Sequence, residues 1–275
     1  MQMLTKRLIA CFDVINGMVT KAQQFQDNIN IERAETIAAK VYRDQIDEII
    51  FYDITASAEK RPIDLKMVQA VAKQVFVPFT VGGGIRSLED MYSVLKSGAE
   101  KISIDSMAVR NPQLITEGAQ AFGSQCIVLS MQVKKVVKTP EIPSGYEIMI
   151  DGARVATGMD ALAWAKRGEE LGAGEICVNS IDCDGTHEGY DLDITALISE
   201  HVNIPVIASG GAGKPEHLLD VFTKTKASAG IISSMLYSPR LERNYSVREL
   251  KTYLAEHGVT VRPWIDCMVG LEEQI

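Results

Sequence analysis

Two stretches of the sequence end in consecutive glycines of a kind that can hold a phosphate group. They read PFTVGGGIR at residues 78–86 and PVIASGGAG at residues 205–213. In each, an apolar run typical of a buried strand leads into glycines, which adopt positive φ angles and leave bare backbone N–H groups for an anion to approach. A single run would fit an ordinary tight turn equally well, whereas two copies favour a pair of phosphate sites.

The spacing of the glycine runs recurs elsewhere in the chain. Pro78 and Pro205 lie 127 positions apart, and so do Glu48 and Glu175. A repeat this long exceeds the roughly 20–50 residues of a solenoid unit, so each copy must hold several strands and helices. The predicted units are two homologous halves at about residues 1–123 and 124–263, and a tail at residues 264–275 with no counterpart in the repeat.

Apolar segments and amphipathic segments alternate along the whole chain. Such alternation indicates a parallel sheet covered by helices, and eight units in two halves indicate a closed barrel rather than a doubly wound sheet. We therefore predict the α/β class and one (βα)8 TIM barrel over residues 1–263, built from two homologous half-barrels. The predicted strands are residues 7–13, 47–53, 77–81, 101–105, 125–132, 174–179, 204–208 and 229–233. The predicted helices are residues 31–45, 63–74, 88–97, 112–122, 159–171, 194–202, 215–225 and 247–257.

Two segments fall outside this alternation. Residues 134–157 follow the fifth strand and carry Pro140, Pro143 and a Ser-Gly pair between two β-rich runs. This pattern predicts a hairpin over the barrel mouth, which could act as a lid. The tail is expected to be either disordered or a short docking helix.

Four of the predicted strands begin with a charged residue. Alternate positions of a strand share a face, so these charges lie on the same face as polar residues at the strand ends. One such charge alone would be an ordinary solvated residue. Two cations and two anions at one level can instead close a ring of ion pairs at the bottom of the barrel, away from water. The four residues are Arg7, Glu48, Lys101 and Glu175.

The C-terminal ends of the strands form the mouth, where barrels of this type keep their chemistry. Two glycine and hydroxyl clusters on opposite sides suit a long substrate with a phosphate at each end, and carboxylates between them suit proton transfer. Asp13 is expected to face inward by parity and to be buried near the symmetry axis, where desolvation would tune its pKa. Asp53 and Asp182 are expected to make strand-end hydrogen bonds. The other polar residues predicted at the mouth are Gly82, Gly83, Gly84, Asp105, Ser106, Gln132, Asn179, Asp184, Gly185, Thr186, Ser209, Gly210, Gly211, Ser233 and Ser234.

The amino-acid composition limits the partners that this protein is expected to bind and the cellular compartment in which it is expected to lie. The formal charge of -8 at pH 7 and the pI of about 5.1 argue against binding of nucleic acid or anionic membranes. No apolar run reaches the roughly 18 residues of a membrane span, and no signal-peptide core precedes the first strand, so we expect a cytoplasmic protein. The five cysteines show neither a zinc spacing nor a CxxC pair, so we predict reduced thiols, no metal site and no cofactor.

Six motifs resemble one known family, the cyclase subunit of imidazole glycerol phosphate synthase from histidine biosynthesis. The similarity covers about residues 4–262. It implies a half-repeat (βα)8 barrel whose N-terminal face docks on a glutaminase. The motifs are KRLIACFDV at 6–14, FYDITAS at 51–57, FTVGGGI at 79–85, FGSQ at 122–125, SIDCDGT at 180–186 and IASGGAG at 207–213.

The resemblance implies a lyase reaction and a role for each matching residue. Ammonia from the glutaminase crosses a charged gate, here Arg7, Glu48, Lys101 and Glu175, and travels up the lumen. At the mouth it reacts with a doubly phosphorylated ribulosyl aminoimidazole-carboxamide compound, giving imidazole glycerol phosphate and aminoimidazole carboxamide ribotide. Asp13 matches a catalytic aspartate and Lys21 the lysine of a mobile first loop. The phosphate-binding and substrate-binding candidates are Gly83, Gly84, Ser106, Asn179, Asp184, Gly185, Gly210, Gly211, Ser233 and Ser234.

Two candidate catalytic positions depart from the family pattern. The second catalytic aspartate of the family lies at the end of strand five, where this chain has Gln132, and the internal repeat independently aligns Gln132 with Asp13. Glutamine forms hydrogen bonds but cannot exchange a proton near neutral pH. Asp105 occupies a position that is usually asparagine.

Three hypotheses follow. The chain is a variant cyclase, a paralogue that delivers ammonia to a different acceptor, or a scaffold that only activates the glutaminase. In the first case the second acid/base has moved to Asp105, which lies within a few ångströms of Gln132 and has a pKa raised by Asp13 and by substrate phosphate. In the others the exchange is drift.

Overall fold

Eight parallel strands close into a barrel in the computed structural model, which describes residues 4–23, 26–56, 61–237 and 243–266. The strands within these residues are β1 (Arg7–Ile15), β2 (Met18–Gln23), β3 (Gln26–Arg33), β4 (Glu48–Asp53), β5 (Phe79–Gly82), β6 (Lys101–Ile104), β7 (Ile127–Lys135), β8 (Tyr146–Ile150), β9 (Val155–Asp160), β10 (Glu175–Ser180), β11 (Val206–Ser209) and β12 (Ala229–Ile231). The helices are α1 (Ala34–Arg43), α2 (Leu65–Ala72), α3 (Leu88–Lys96), α4 (Ser106–Arg110), α5 (Gln113–Phe122), α6 (Ala161–Leu171), α7 (Leu192–His201), α8 (Pro215–Lys224), α9 (Ser233–Tyr237) and α10 (Val247–Glu256).

The order of hydrogen-bonded strands returns to its starting point. It runs β1, β4, β5, β6, β7, β10, β11, β12 and back to β1, and every neighbouring pair is parallel. The predicted (βα)8 TIM barrel is therefore confirmed, and a doubly wound sheet is excluded because these strands leave no free edge. The division into two half-barrels is not tested by strand pairing and stays a prediction.

All eight predicted helices are present, and their side chains explain where several of them begin. The N-cap side chains of Asp64, Ser87, Asp160, Asp191 and Ser246 accept hydrogen bonds from backbone N–H groups of the first helical turn. The helices pack their apolar faces against the outside of the barrel in one large hydrophobic core. Caps and apolar spacing thus specify the same segments.

Strand residues divide between two apolar regions according to the parity of their positions. Leu8, Ala10 and Phe12 of β1 face outward and join the large core under the helices, whereas Ile9 faces the inside of the barrel. Burial on both faces explains why the strands read as nearly continuous apolar runs. The inward-facing residues form a second group, the lumen cluster, which consists of Ile9, Ile50, Val128, Cys177, Ile207, Ala229 and Ile231.

A hairpin that the sequence analysis did not predict extends from the first strand. β2 pairs antiparallel with the end of β1, where Asp13 lies opposite Thr20, and β3 pairs with β2. The connection is Asn16-Gly17, with φ angles of 50° and 76°. Because an Asn-Gly pair between β segments is a strong hairpin signal, the sequence did contain the information.

The hairpin predicted after the fifth barrel strand is confirmed. β7 continues to Lys135 and pairs antiparallel with β8, and the loop with Pro140 and Pro143 connects them. A third strand, β9, pairs with β8 and extends the predicted hairpin. A lid function for this hairpin stays a prediction.

A buried ion pair fixes the last helix to the bottom of the barrel. The side chain of Lys251 in α10 is only 2% exposed, and its Nζ donates to Oδ1 of Asp47 at 2.7 Å. Asp47 also accepts a hydrogen bond from the backbone N–H of Leu8 at 2.9 Å and pairs with Nε of Arg262 at 2.9 Å. This one carboxylate therefore connects β1, α10 and the segment after α10.

The tail prediction lies mostly outside the described residues. Near the end of the described segment, the backbone N–H of Ile265 donates to the side chain of Gln45 at 3.0 Å. Residues 267–275 are not among those described, so neither disorder nor a docking helix is tested. Among the described residues, no helix is long and apolar enough to cross a membrane, and Cys11, Cys126, Cys177 and Cys183 are free thiols.

The contacts of Lys251 generate a stability prediction. We expect Lys251→Ala to lower the free energy of unfolding by about 2–4 kcal/mol, because Asp47 then keeps a buried charge with one cation fewer. Lys224→Ala is the control, since it removes an exposed ion pair to Asp220 with 58% and 43% of the two side chains accessible, and should change stability by less than about 0.5 kcal/mol. Urea unfolding measures both, and equal losses would contradict the role of burial.

Candidate active site in and above the barrel lumen

Four charged side chains form a closed ring at the bottom of the lumen. Arg7 donates to Glu48 and to Glu175, both at 2.6 Å, and Lys101 donates to the same two carboxylates, both at 2.8 Å. Each anion thus contacts both cations. The ring of ion pairs predicted from strand parity is present, whereas its role as an ammonia gate stays a prediction.

Mutual pairing compensates for the cost of placing these charged side chains in a barrel interior. The side chains of Glu48 and Glu175 are 1% and 9% exposed. Burial alone would lower the pKa of Arg7, but the two carboxylates raise it by more, and the net effect is a raised pKa. Thr80 adds a hydrogen bond from its hydroxyl to Glu48 at 3.3 Å. Removing any one member would leave a buried charge without its full set of partners.

The lumen between the ring and the mouth combines the apolar lumen cluster with the hydroxyl groups of Tyr52, Ser103 and Ser130. Tyr52 packs against the lumen cluster, and its hydroxyl lies 3.0 Å from Oγ of Ser103 and 3.5 Å from Oγ of Ser130. Burial raises the pKa of the Tyr52 phenol well above its usual value, so the group stays protonated. A Cβ at Gly82 would lie 2.5 Å from the Tyr52 ring, so the glycine leaves room for it. Parity predicted an inward-facing Tyr52 but not these partners.

Asp13 lies at the upper end of β1, where the barrel opens. It is half-buried, so the stronger expectation of a buried carboxylate is not met. The pKa of Tyr237 in α9 is raised mainly by burial and, to a smaller extent, by the negative charge of Asp13. The Tyr237 hydroxyl donates to the carbonyl oxygen of Cys11 at 2.9 Å, which holds α9 against the end of β1.

A chain of hydrogen bonds crosses the mouth from β11 through β10 to β7. The hydroxyl of Ser209 donates to Oδ1 of Asn179 at 2.7 Å, and Nδ2 of Asn179 donates to Oε1 of Gln132 at 2.8 Å. The amide nitrogen of Gln132 remains as the group that can donate toward Asp105, and the Gln132 side chain lowers the pKa of the Asp105 carboxyl group. The predicted proximity of Asp105 and Gln132 is therefore confirmed.

The carboxyl group of Asp105 titrates close to neutrality. Its pKa is raised to about 7, mainly because burial disfavours the charged form and also because Asp151 is nearby. The hydrogen bond from Gln132 and the charge of Arg110 act in the opposite direction. A raised pKa was predicted. Of its two predicted causes, Asp13 was wrong, since burial and Asp151 raise the pKa instead, and substrate phosphate stays a prediction.

The glycine runs have a structural explanation at two positions. A Cβ at Gly83 would lie 2.2 Å from the carbonyl oxygen of Asp53, and a Cβ at Gly211 would lie 1.9 Å from that of Gly189. Both glycines also have positive φ angles, 89° and 96°. Close backbone approach therefore requires glycine here even without a ligand, and phosphate binding by these runs stays a prediction.

The two serine hydroxyls carry more specific information. Oγ of Ser233 accepts a hydrogen bond from the backbone N–H of Cys11, and Oγ of Ser106 accepts one from the backbone N–H of Asp151, both at 2.9 Å. A hydroxyl that accepts in this way still has its own hydrogen to donate. Each side of the mouth therefore has an oriented hydroxyl at the end of a strand, followed by a short helix.

The other carboxylates at the mouth have structural partners. Asp53 accepts hydrogen bonds from Arg61 through both oxygens, at 2.7 and 2.8 Å. Asp182 accepts one from the backbone N–H of Lys135 at 2.7 Å. Both residues make the strand-end hydrogen bonds that were expected of them.

The remaining candidates are less closely connected to this network. Asp184 and Gly185 lie exposed in the turn after β10, Ser234 is half-buried in α9, and only the backbone of Lys21, in β2, is described. A Cβ at Gly210 would lie 2.8 Å from the carbonyl oxygen of Ser180. Within the described ranges no cluster of His, Cys, Asp and Glu side chains could hold a metal ion. The sequence analysis missed Arg110 and Asp151.

A parallel barrel with a charged floor, an apolar lumen and a mouth with carboxylates belongs to the (βα)8 enzymes. Comparison with known proteins narrows the class: residues 7–242 match the family model described as histidine biosynthesis protein. Over 260 residues the chain is 56% identical to imidazole glycerol phosphate synthase subunit HisF of Desulfatibacillum aliphaticivorans, covering 94% of this chain and 98% of that protein. It is 54% identical to the HisF subunits of Syntrophobacter fumaroxidans and Desulfovibrio desulfuricans, covering 94% of this chain and 99% of each of theirs.

The chain therefore belongs to the HisF family, the cyclase subunits of imidazole glycerol phosphate synthase in histidine biosynthesis. The predicted family and enzyme class are confirmed by this identity over nearly the full length. The relatives are named as subunits. None of the comparisons supports the alternative of a paralogue that delivers ammonia to another acceptor.

The pKa of Asp105 generates a prediction about stability and pH. An unfolded aspartate has a pKa of about 3.9, so the folded chain holds its proton more tightly and loses stability as pH rises from there to about 7. Asp105→Asn removes this loss and should raise the free energy of unfolding by up to about 4 kcal/mol at pH 8 but by less than about 0.5 kcal/mol at pH 4.

Denaturant unfolding at the two pH values tests this prediction. Asp193→Asn serves as a control because that side chain is 79% exposed and should show no such pH-dependent gain. The same gain for Asp105→Asn at both pH values would mean that its carboxyl group titrates normally.

Proposed function

We propose that this chain is an active cyclase in which Asp105 has taken over the role of the second catalytic carboxylate. It would convert the doubly phosphorylated ribulosyl aminoimidazole-carboxamide substrate and ammonia to imidazole glycerol phosphate and aminoimidazole carboxamide ribotide. The observation that carries this proposal is the half-buried Asp105 at the mouth, beside Gln132 and with a pKa of about 7. Such a group can both give up and accept a proton at neutral pH.

Each group at the mouth then has a role. Asp13 and Asp105, at the ends of two strands, act as the acid/base pair. Gln132 holds Asp105 through one end of its amide, and its other end is fixed by Asn179 at 2.8 Å. The Ser106 and Ser233 hydroxyls donate to one substrate phosphate each, with support from backbone N–H groups of the glycine runs.

Ammonia would enter from below. We propose that a glutaminase subunit binds the N-terminal face of the barrel, that the ion-pair ring admits its ammonia, and that the apolar lumen carries the neutral molecule upward. Support comes from the position of the ring, whose four charges close the lumen at that face. The Tyr52 hydroxyl gives ammonia one hydrogen-bonding partner on its way through the lumen cluster.

The relocated carboxylate predicts the behaviour of two variants with ammonium salts as the nitrogen source. Asp105→Asn should lower kcat by about 10²-fold or more, as loss of a general acid/base does. Adding Gln132→Asp to it should recover part of the activity, because a carboxylate then returns to the end of strand five. Steady-state turnover at pH 7 measures both.

Asp193→Asn is the matched control and should retain full turnover. Unfolding of Asp105→Asn in the same buffer shows that lost activity does not come from lost structure. The parent chain should also restore growth to a histidine auxotroph that lacks the cyclase. An inactive parent, or a parent indifferent to Asp105→Asn, would rule the proposal out.

The gate role predicts a difference between nitrogen sources. In the complex with the glutaminase, Lys101→Ala should make glutamine-dependent turnover uncoupled, so that less product forms per glutamine hydrolysed. Turnover with added ammonium salts should change less than about twofold, because the ring lies at the opposite end of the lumen from the mouth. Lys166→Ala in α6, an exposed lysine, is the control. Equal losses with both nitrogen sources would contradict a gate.

A further inference from the structure

Arg110 and Asp151 form a two-point ion pair at the rim of the mouth. Arg110 ends α4, and Asp151 lies in the turn between β8 and β9. Nη1 of Arg110 donates to Oδ1 of Asp151 at 2.9 Å, and Nη2 donates to Oδ2 at 2.5 Å. The two side chains are 45% and 28% exposed, so a ligand can reach the pair from solvent.

The pair lies directly beside one of the two hydroxyls of the candidate site. The backbone N–H of Asp151 donates to Oγ of Ser106 at 2.9 Å, and Ser106 begins the short helix that Arg110 ends. Both charges act on Asp105, Asp151 raising its pKa and Arg110 lowering it. A second guanidinium, that of Arg154, also acts on the Asp151 carboxylate. An anion bound by Arg110 thus lies near Ser106 and is also attracted by the charge of Arg154.

These groups are suited to a phosphate as well as to a carboxylate. The planar guanidinium donates two parallel hydrogen bonds that fit two oxygens of either group. A phosphate monoester carries close to two negative charges at neutral pH, one more than Asp151. We propose that Arg110 binds the substrate phosphate on the Ser106 side of the mouth. In the free protein Arg110 pairs with Asp151, and the phosphate displaces the Asp151 carboxylate when the substrate binds.

The exchange also connects ligand binding to the hairpin over the mouth. The Arg110–Asp151 pair is partly exposed to water, where a phosphate with nearly two negative charges competes with the singly charged carboxylate for the guanidinium. A phosphate that takes Arg110 removes the ion pair between the β8–β9 turn and α4. The hydrogen bond from the backbone N–H of Asp151 to Ser106 remains, because the Ser106 hydroxyl binds the phosphate with its own hydrogen. Substrate binding therefore loosens the turn without detaching it. The inference rests on the proposed function for the identity of the substrate, but not for the binding of phosphate.

A purely structural pair makes a different prediction from a pair in which Asp151 competes with the ligand. If the contact only holds the hairpin in place, removing either partner has the same effect on phosphate binding. If Asp151 is an internal competitor, the two substitutions have opposite effects, because one removes the binding group and the other removes its rival. The sign of the change therefore separates the two roles.

The experiment measures binding of inorganic phosphate by calorimetry at constant ionic strength. Arg110→Gln should weaken binding about tenfold, as loss of a charge-assisted hydrogen bond does. Asp151→Asn should tighten binding about threefold. In ammonia-dependent turnover, Arg110→Gln should raise KM and leave kcat within about twofold. Arg110→Lys should recover part of the phosphate affinity, because lysine supplies the positive charge but not the two parallel hydrogen bonds of the guanidinium.

The matched controls are Arg167→Gln and Glu170→Gln, which change the net charge in the same way at an ion pair in α6 whose side chains are 57% and 65% exposed. Neither should alter phosphate binding. Changes of the same sign for Arg110→Gln and Asp151→Asn, or changes no larger than those of the controls, would overturn the inference. Because phosphate binding needs no turnover, an inactive parent with the expected binding pattern would reject the proposed function and leave this inference standing.

Discussion

Closure of the eight parallel strands decides where every charged group of this protein can lie. It directs alternate side chains of each strand into one shared lumen, so that strand starts, middles and ends form separate levels. Charges at the lowest level are stable only because each carboxylate meets both cations. The apolar lumen cluster lies above them, and the strand ends become the level at which polar groups can meet a ligand.

Local rules made much of this predictable from the sequence. Strand parity, with its period of two, predicted the ring of four charged residues. The neighbouring positions of the fourth and fifth barrel strands, β6 and β7, predicted that Asp105 and Gln132 lie close together. The contact of Asn179 with Ser209 follows the same rule, since the two residues are paired in register on the neighbouring strands β10 and β11, but the sequence alone does not state that register. Arg110 and Asp151 are 41 positions apart, and no periodic pattern relates a helix end to a hairpin turn.

The glycine runs show how one sequence signal can have two physical origins. Glycines that cradle a phosphate and glycines that let two loops approach closely look the same in a sequence. At Gly83 and Gly211 the neighbouring carbonyl oxygens alone exclude a side chain. The serine hydroxyls distinguish phosphate binding from close backbone approach better than the glycines do, because close approach of two loops does not require a serine at a strand end. Their fixed orientation at Ser106 and Ser233 therefore supports phosphate binding more strongly than the glycines do.

The identities of residues 105 and 132 depend on each other through hydrogen-bonding capacity. Gln132 accepts from Asn179 with its oxygen, which leaves its amide nitrogen to act on Asp105, whose pKa the Gln132 side chain lowers. An aspartate at 132 beside Asp105 would put two carboxylates in contact, and they could keep only one negative charge between them near neutral pH. Gln132 instead favours the ionised form of Asp105 while burial opposes it. The balance of these two effects keeps one carboxyl group near its titration midpoint at neutral pH.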